Sequence, residues 1–307
     1  MKDTRICIVV PCYNEQEVLP ETARRLGAFL KGHIEGESIS PESRVLFVDD
    51  GSKDKTWTMI KALSEKDALF TGISLAHNRG HQNALWAGLT ECCGKFDAVI
   101  SIDADLQDDI NAMNGFLTEF EKGADIVYGV REKRDTDSFF KRFTAESFYK
   151  VMDKMGAETV YNHADYRLLS ARALTALMEY GETNLYLRGL VPTLGFNTAT
   201  VTYERAERFA GESKYPLKKM LALAFQGITS FSVKPIGFIL GLGIGICALS
   251  LLIGFICLIS GSGSFTLFSI WFMGGLILSA IGLVGEYAGK IYMEVKHRPR
   301  FQIKDRT

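Results

Sequence analysis

From Pro235 to Gly285 the chain carries no Lys, Arg, Asp or Glu. A stretch of that length without charge cannot form the outside of a fold in water, so it belongs inside protein or inside lipid. It holds two apolar runs, 235–259 and 265–285, of 25 and 21 residues. Each is long enough for a helix to cross a hydrocarbon core of about 30 Å. Gly-Ser-Gly-Ser at 261–264 reads as the turn between them. Lys218, Lys219 and Lys234 precede the first run, and Lys290, Lys296, Arg298 and Arg300 follow the second. Basic flanks stay on the cytoplasmic side, which places the turn outside. The competing reading is a helical hairpin buried in a soluble core. Gly241-Leu-Gly-Ile-Gly245 is spelled like a dinucleotide loop, but within a span its glycines serve close helix packing.

The residues ahead of this stretch are normally charged, and about 230 of them suffice to bury a full α/β core. A formal net charge of -1 argues against nucleic acid as a partner, since such proteins present a basic face. The cysteines Cys7, Cys12, Cys92, Cys93, Cys247 and Cys257 form no CxxC pair or zinc-like spacing. They read as buried free thiols in a reducing cytosol. The apolar run at 6–11 is too short for a secretory signal, so a cytoplasmic catalytic part is expected.

Short β-branched runs at 5–10, 44–48, 70–75, 98–102 and 125–130 alternate with amphipathic stretches at 15–31, 54–66, 80–91 and 110–122. Strands alternating with helices predict a mainly parallel sheet covered on both faces, with ligands at the carboxyl ends of the strands. Two aromatic, basic stretches follow, at 138–155 and 215–231. The first fits either a membrane surface or packing on its own sheet, and the second leads into the apolar region.

Polar motifs stand at three strand ends. The first strand runs into Pro11-Cys-Tyr13-Asn14-Glu15, without the glycine-rich turn of a dinucleotide fold. Tyr13 can line a base or sugar, and Glu15 can accept hydrogen bonds from it. The second ends in Asp49-Asp50-Gly51-Ser52-Lys53-Asp54, where carboxylates can receive a base or ribose. Ser52 or Asp54 also suits capping of the next helix. The fourth ends in Asp103-Ala104-Asp105-Leu-Gln107-Asp108, a set of oxygen ligands suited to a hard divalent cation that bridges to phosphates. An acidic loop without metal is the alternative. His77 and His81, on either side of Arg79, read as loop packing or donor contact ahead of a metal pair.

Together with Ala164-Asp165-Tyr-Arg167-Leu and Arg208-Phe-Ala-Gly-Glu-Ser-Lys214-Tyr, these motifs resemble the family 2 glycosyltransferases of the GT-A fold. Within that family the chain is most similar to those that act on polyprenyl phosphates. The resemblance implies an α/β GT-A catalytic domain over 1–214, an amphipathic linker over 215–232, and two transmembrane helices with a short cytoplasmic tail over 233–307. It implies a multi-pass protein of the cytoplasmic membrane that inverts configuration as it moves a hexose from a nucleotide-sugar to lipid phosphate. UDP-glucose leads, with N-acetylglucosamine, a modified arabinose or mannose behind it. By the same resemblance Pro11, Tyr13, Asn14, Glu15, Asp49, Asp50, Ser52, Asp103 and Ala104 meet the nucleotide-sugar. Asp103, Asp105 and Gln107 hold Mg²⁺ or Mn²⁺, and Arg131, Arg208 and Lys214 meet phosphates. Asp105 and Asp165 are the implied catalytic residues, with Asp165 a base or an orienting group. A homo-oligomer is left open.

A processive polysaccharide synthase would carry Gln-x-x-Arg-Trp, yet Trp57, Trp86 and Trp271 never follow an Arg. A non-catalytic nucleotide-sugar-binding membrane partner is the remaining alternative, opposed by the intact acidic and basic motif residues.

Overall fold

Ile6–Cys12 (β1) is buried along its whole length, a continuous apolar run of the kind that fills the middle of a parallel sheet. In the computed structural model it is followed by Leu19–Glu35 (α1), Arg44–Asp49 (β2), Thr56–Lys66 (α2), Phe70–Leu75 (β3), His81–Cys92 (α3), Ala98–Ser101 (β4), Ala112–Glu121 (α4) and Ile126–Arg131 (β5). Then come His163–Ser170 (β6), Ala171–Met178 (α5), Leu187–Leu190 (α6), a 3₁₀ turn, Thr198–Tyr203 (β7), Thr266–Val295 (α7) and Ile303–Arg306 (β8). The structure describes residues 1–131, 163–181, 185–204, 266–296 and 298–307, with isolated positions between 245 and 259.

The described strands form one sheet in the order β7-β5-β6-β4-β1-β2-β3-β8. β1 pairs in parallel with β2 and β4, β2 with β3, and β5 with β7, whereas β6 and β8 run against their neighbours. The expected GT-A α/β architecture is therefore present. The chain order reverses between β4 and β1, and such a switch point opens a crevice at the carboxyl ends of the two strands. The core beneath packs Phe47, Ile100 and Phe116 with Leu26 and Leu30 of α1, all unexposed.

The five strands and four helices expected between residues 5 and 130 all form, with shifted ends. α1 begins at Leu19 rather than at residue 15, because Asn14, Glu15 and Gln16 donate their backbone N–H groups to Ser52, Thr56 and Asp54. Pro20 then suits the first helical turn. Asp54 also accepts from the Thr56 backbone, close to the capping role expected of it.

The chain divides into two units. One comprises Met1–Thr144, Thr159–Lys214 and Pro299–Thr307, and the other Ala145–Glu158 and Tyr215–Arg298. The last nine residues thus correct the expected tail: they belong to the catalytic unit. β8 pairs antiparallel with β3, Thr307 bonds Gly72 through both its hydroxyl and its backbone N–H, and Asp305 accepts from Trp57 and Lys61.

In the second unit one helix of span length is described, where two were expected. α7 has 30 residues, and its part Phe272–Val295 is long and apolar enough to cross a membrane by length and composition. It continues past the expected end at Gly285, helped by Glu286 and Lys290 at a spacing that supports a helix. Ile270, Ile277, Ile281, Val284 and Val295 are exposed. The 235–259 run lies largely outside the described residues; Leu249, Leu252, Phe255 and Ile259 within it are helical and exposed. The stretches 138–155 and 215–231 lie outside them altogether.

Candidate active site

The loops after β1 and β2 are built into one another. Asn14 takes a left-handed backbone (φ 54°), donates its N–H to Ser52 Oγ at 2.9 Å, and accepts from Lys53 N with its side chain at 2.9 Å. Asp49 is buried and accepts from Ser74 Oγ at 2.7 Å and from Ser52 N at 3.1 Å. Asp50, also buried, accepts from Arg79 N at 2.7 Å and Gly80 N at 2.9 Å. Burial raises its pKa against the pull of those two N–H groups. Between the carboxylate and the 77–80 loop there is room only for glycine. Gly51 has φ +67°, and a Cβ there would sit 2.7 Å from backbone atoms of His77 and Asn78. Of the residues assigned to the nucleotide, Asn14, Asp49, Asp50 and Ser52 thus shape the loop wall, while Tyr13 and Glu15 are half-buried on it.

β4 ends at Ser101 and the chain turns through Asp103, Ala104 and Asp105, with Leu106 left-handed at φ 58°. Thr22 of α1 donates its hydroxyl to Ala104 O at 2.9 Å, and Gln107 N bonds Asp105 Oδ1 at 3.2 Å. Asp103 is 35% exposed. Its pKa is raised by burial and by Asp165, Asp108 and Asp105, against His81. Crowded carboxylates of this kind call for positive charge. Among the described residues, no three carboxylate, thiolate or imidazole groups converge as a complete cation cage. Asp103 and Asp105, two residues apart on one turn, could supply one or two carboxylates to a Mg²⁺-like ion whose other ligands are phosphate oxygens and water. Asp108 turns the other way: its carboxylate accepts from Tyr203 Oη at 2.6 Å and from Arg131 Nη2 at 3.2 Å, so Arg131 stands beside a buried acid.

Asp165 reaches this place because β6 is antiparallel. Ser101 pairs with Arg167, so the residues that precede Arg167 continue alongside the carboxyl end of β4, and Ser101 Oγ bonds Asp165 O at 2.6 Å. Its buried carboxylate receives Arg167 Nη2 at 2.5 Å, Gln82 Nε2 at 3.1 Å and Arg188 Nη2 at 3.1 Å. His81 Nε2 lies 3.6 Å from it and 3.5 Å from Asp103, linking the two acids. Burial alone would raise the Asp165 pKa; Arg188, His81 and Arg167 together outweigh it and hold the group well below the carboxylate range. Burial also works against charge on His81, yet Asp103 and Asp165 lift its pKa to about 9.

The structure thus brings Asp103 and Asp165 together through His81, with Asp105 two residues along the same turn. Arg208 and Lys214 lie outside the described residues. His81, expected as loop packing or donor contact, lies between Asp103 and Asp165. Its position in the first turn after the third strand's carboxyl end was the available clue. Gln82, Arg188 and Tyr203 were not anticipated. No motif flags Arg188, which a four-residue helix delivers, its Leu187 N held by Gln82 Oε1 at 3.1 Å.

Residues 7–195 match the family model described as Glycosyl transferase family 2. An uncharacterized glycosyltransferase of Bacillus subtilis is 50% identical over 305 residues, covering 97% of this chain and 90% of its own. The bactoprenol glucosyl transferase of Shigella phage SfV is 39% identical over 312 residues, covering 98% of both chains. A prophage bactoprenol glucosyl transferase homolog of Escherichia coli K12 is 37% identical over 311 residues, again with 98% of both chains covered.

Proposed function

The chain belongs to glycosyl transferase family 2, and from that premise we propose that it moves glucose from UDP-glucose to undecaprenyl phosphate, with inversion, at the cytoplasmic membrane face. One observation carries this: the near full-length similarity to bactoprenol glucosyl transferases extends through the apolar C-terminal region as well as the catalytic unit. An enzyme with a soluble acceptor would need no such region.

In the reaction an oxygen of the lipid phosphate forms a bond to the anomeric carbon, opposite the leaving group. The bond from that carbon to the diphosphate oxygen breaks, and its electron pair departs with UDP. A phosphate monoester carries a charge of about -1.5 to -2 at pH 7, so it needs placement rather than deprotonation. Asp165 is poorly suited to be a base, since its carboxylate is already occupied by Arg167, Gln82 and Arg188. Its role is to orient Arg188 and His81 at the edge of the Asp103 turn. A divalent cation held by Asp103 and Asp105, with Gln107 nearby, would offset the charge that grows on the departing diphosphate.

Chain connectivity supports the membrane assignment. The segment Tyr215–Arg298 leaves the catalytic unit at Lys214 and rejoins it at Pro299, so any membrane crossings it makes are even in number. α7 provides one crossing, and the charge-free run at 235–259 is the natural second. The test is transfer by the purified protein from a panel of radiolabelled nucleotide-sugars to undecaprenyl phosphate, with lipid products separated by thin-layer chromatography. Labelled lipid from UDP-glucose alone is expected; label from another donor would replace the sugar, and none from any donor would overturn the reaction. Asp103→Asn should lose most of the activity while keeping its thermal unfolding temperature, and EDTA should act likewise and be reversed by Mg²⁺ or Mn²⁺.

A further inference from the structure

Asp165 carries one negative charge and faces two guanidinium groups, which have different surroundings. Arg167 is 2% exposed, donates to Asp165 at 2.5 Å and to Leu187 O at 3.2 Å, and so satisfies the carboxylate from within. Arg188 is 36% exposed and offers Nε at 3.4 Å and Nη2 at 3.1 Å to the same carboxylate, which turns its Nη1 edge away from Asp165. With Asp103 and the protonated His81 included, two acids face three cations, so the exposed guanidinium keeps charge for another anion. Its pKa is pushed down by burial and more strongly up by Asp165, so it stays protonated throughout the working range. The helix that carries it is fixed by the same Gln82 that bonds Asp165, so the guanidinium is held in place before any ligand arrives. A planar fork anchored on one edge and open on the other suits the geometry of phosphate.

We propose that Arg188 is a substrate-binding residue that holds a phosphate group, either of the nucleotide-sugar's diphosphate or of the lipid acceptor, beside the Asp103 turn. The proposal deepens the functional assignment above and rests on it. Arg188→Gln should leave the fold intact, because Asp165 keeps Arg167 and Gln82; circular dichroism and thermal unfolding check this. Titration calorimetry with UDP, with inorganic pyrophosphate and with a short polyprenyl monophosphate, on wild type and variant, needs no turnover.

A loss of affinity of tenfold or more for UDP and pyrophosphate identifies the donor diphosphate as the ligand. The same loss for the polyprenyl monophosphate alone, with its KM raised accordingly, identifies the acceptor. Arg188→Lys should recover part of the affinity, as charge without the fork. Unchanged affinities for all three probes, with only kcat lowered, would overturn the proposal and leave Arg188 as a support for Asp165. A wild type that binds none of the three would overturn it too. Tight phosphate binding by a wild type that transfers no sugar would instead sink the function while leaving Arg188 in place.

Discussion

Asp165 illustrates how a motif can be legible while its chemistry is not. The sequence marks it as base or orienter; three cationic neighbours from β6, α3 and α6 favour the orienting role we propose, and two of those elements are far from it in the chain. Asp165→Asn keeps an oxygen for Arg167 but loses the charge that holds Arg188 and His81. It should lower kcat by tenfold or more, about 1.4 kcal/mol in barrier, and should move the His81 titration down from about 9, because Asp165 is one of the two acids that raise it; a pH–rate profile of both forms between pH 6 and 10 checks this. Asp49 and Asp50 were legible as strand-end acids, but what fixes them was not: their carboxylates accept from Ser74, Ser52 and the 79–80 backbone. Gly51 is the tight point of that wall. Gly51→Ala would force a left-handed alanine against the backbone of His77 and Asn78, at a cost of about 1–3 kcal/mol. Both the melting temperature and UDP affinity should fall.

β1 to β5 and α1 to α4 were readable because each buries a run or stripe of apolar residues with its own period. β6 and β8 were not. Ile303–Arg306 alternates half-buried and exposed residues, three of them charged, and its identity as a strand depends wholly on an edge elsewhere in the chain. Removing residues 302–307 should bare the β3 edge and lower the unfolding temperature. It should also promote aggregation, since an unpaired edge is a template for other chains; light scattering after mild heating would report it. At the other side of the sheet, Asp125 ties β5 to the start of α5 by accepting from Ser170 Oγ at 2.9 Å and pairing with Arg172. Burial opposes its ionisation, but Arg172 and Ser170 outweigh it and lower its pKa. A depressed carboxylate contributes stability above its unfolded pKa of about 3.9 and loses it as pH falls through the lower folded value. Asp125→Asn should therefore flatten the decline of urea stability below pH 4.

At the scale of the whole molecule, the segment Tyr215–Arg298 of the second unit is an insertion, with the catalytic unit resuming at Pro299. If the segment crosses twice, as we propose, Lys2 and Arg306 should share the cytoplasmic side and the 261–264 turn should face out. In a background without the native cysteines, Ser262→Cys should react with impermeant thiol reagents on intact cells, while cysteines placed at Lys2 and Arg306 should not. Reaction at those two positions, with 262 protected, would reverse the orientation and remove the donor site from the cytosol. Two apolar runs between basic flanks carry this topology in the sequence; the pairing of β8 with β3 was not legible there. The bond between Gly72 and Thr307 spans 235 positions. Closing a loop doubles in length at an added cost of only about 0.6 kcal/mol, so the finished sheet tolerates the insertion. The time needed is another matter, because distant pairings form slowly. β3 must wait, edge uncovered, until the chain's far end comes back; on the proposed topology bilayer insertion would come first, and the sheet's last strand would be the closing event.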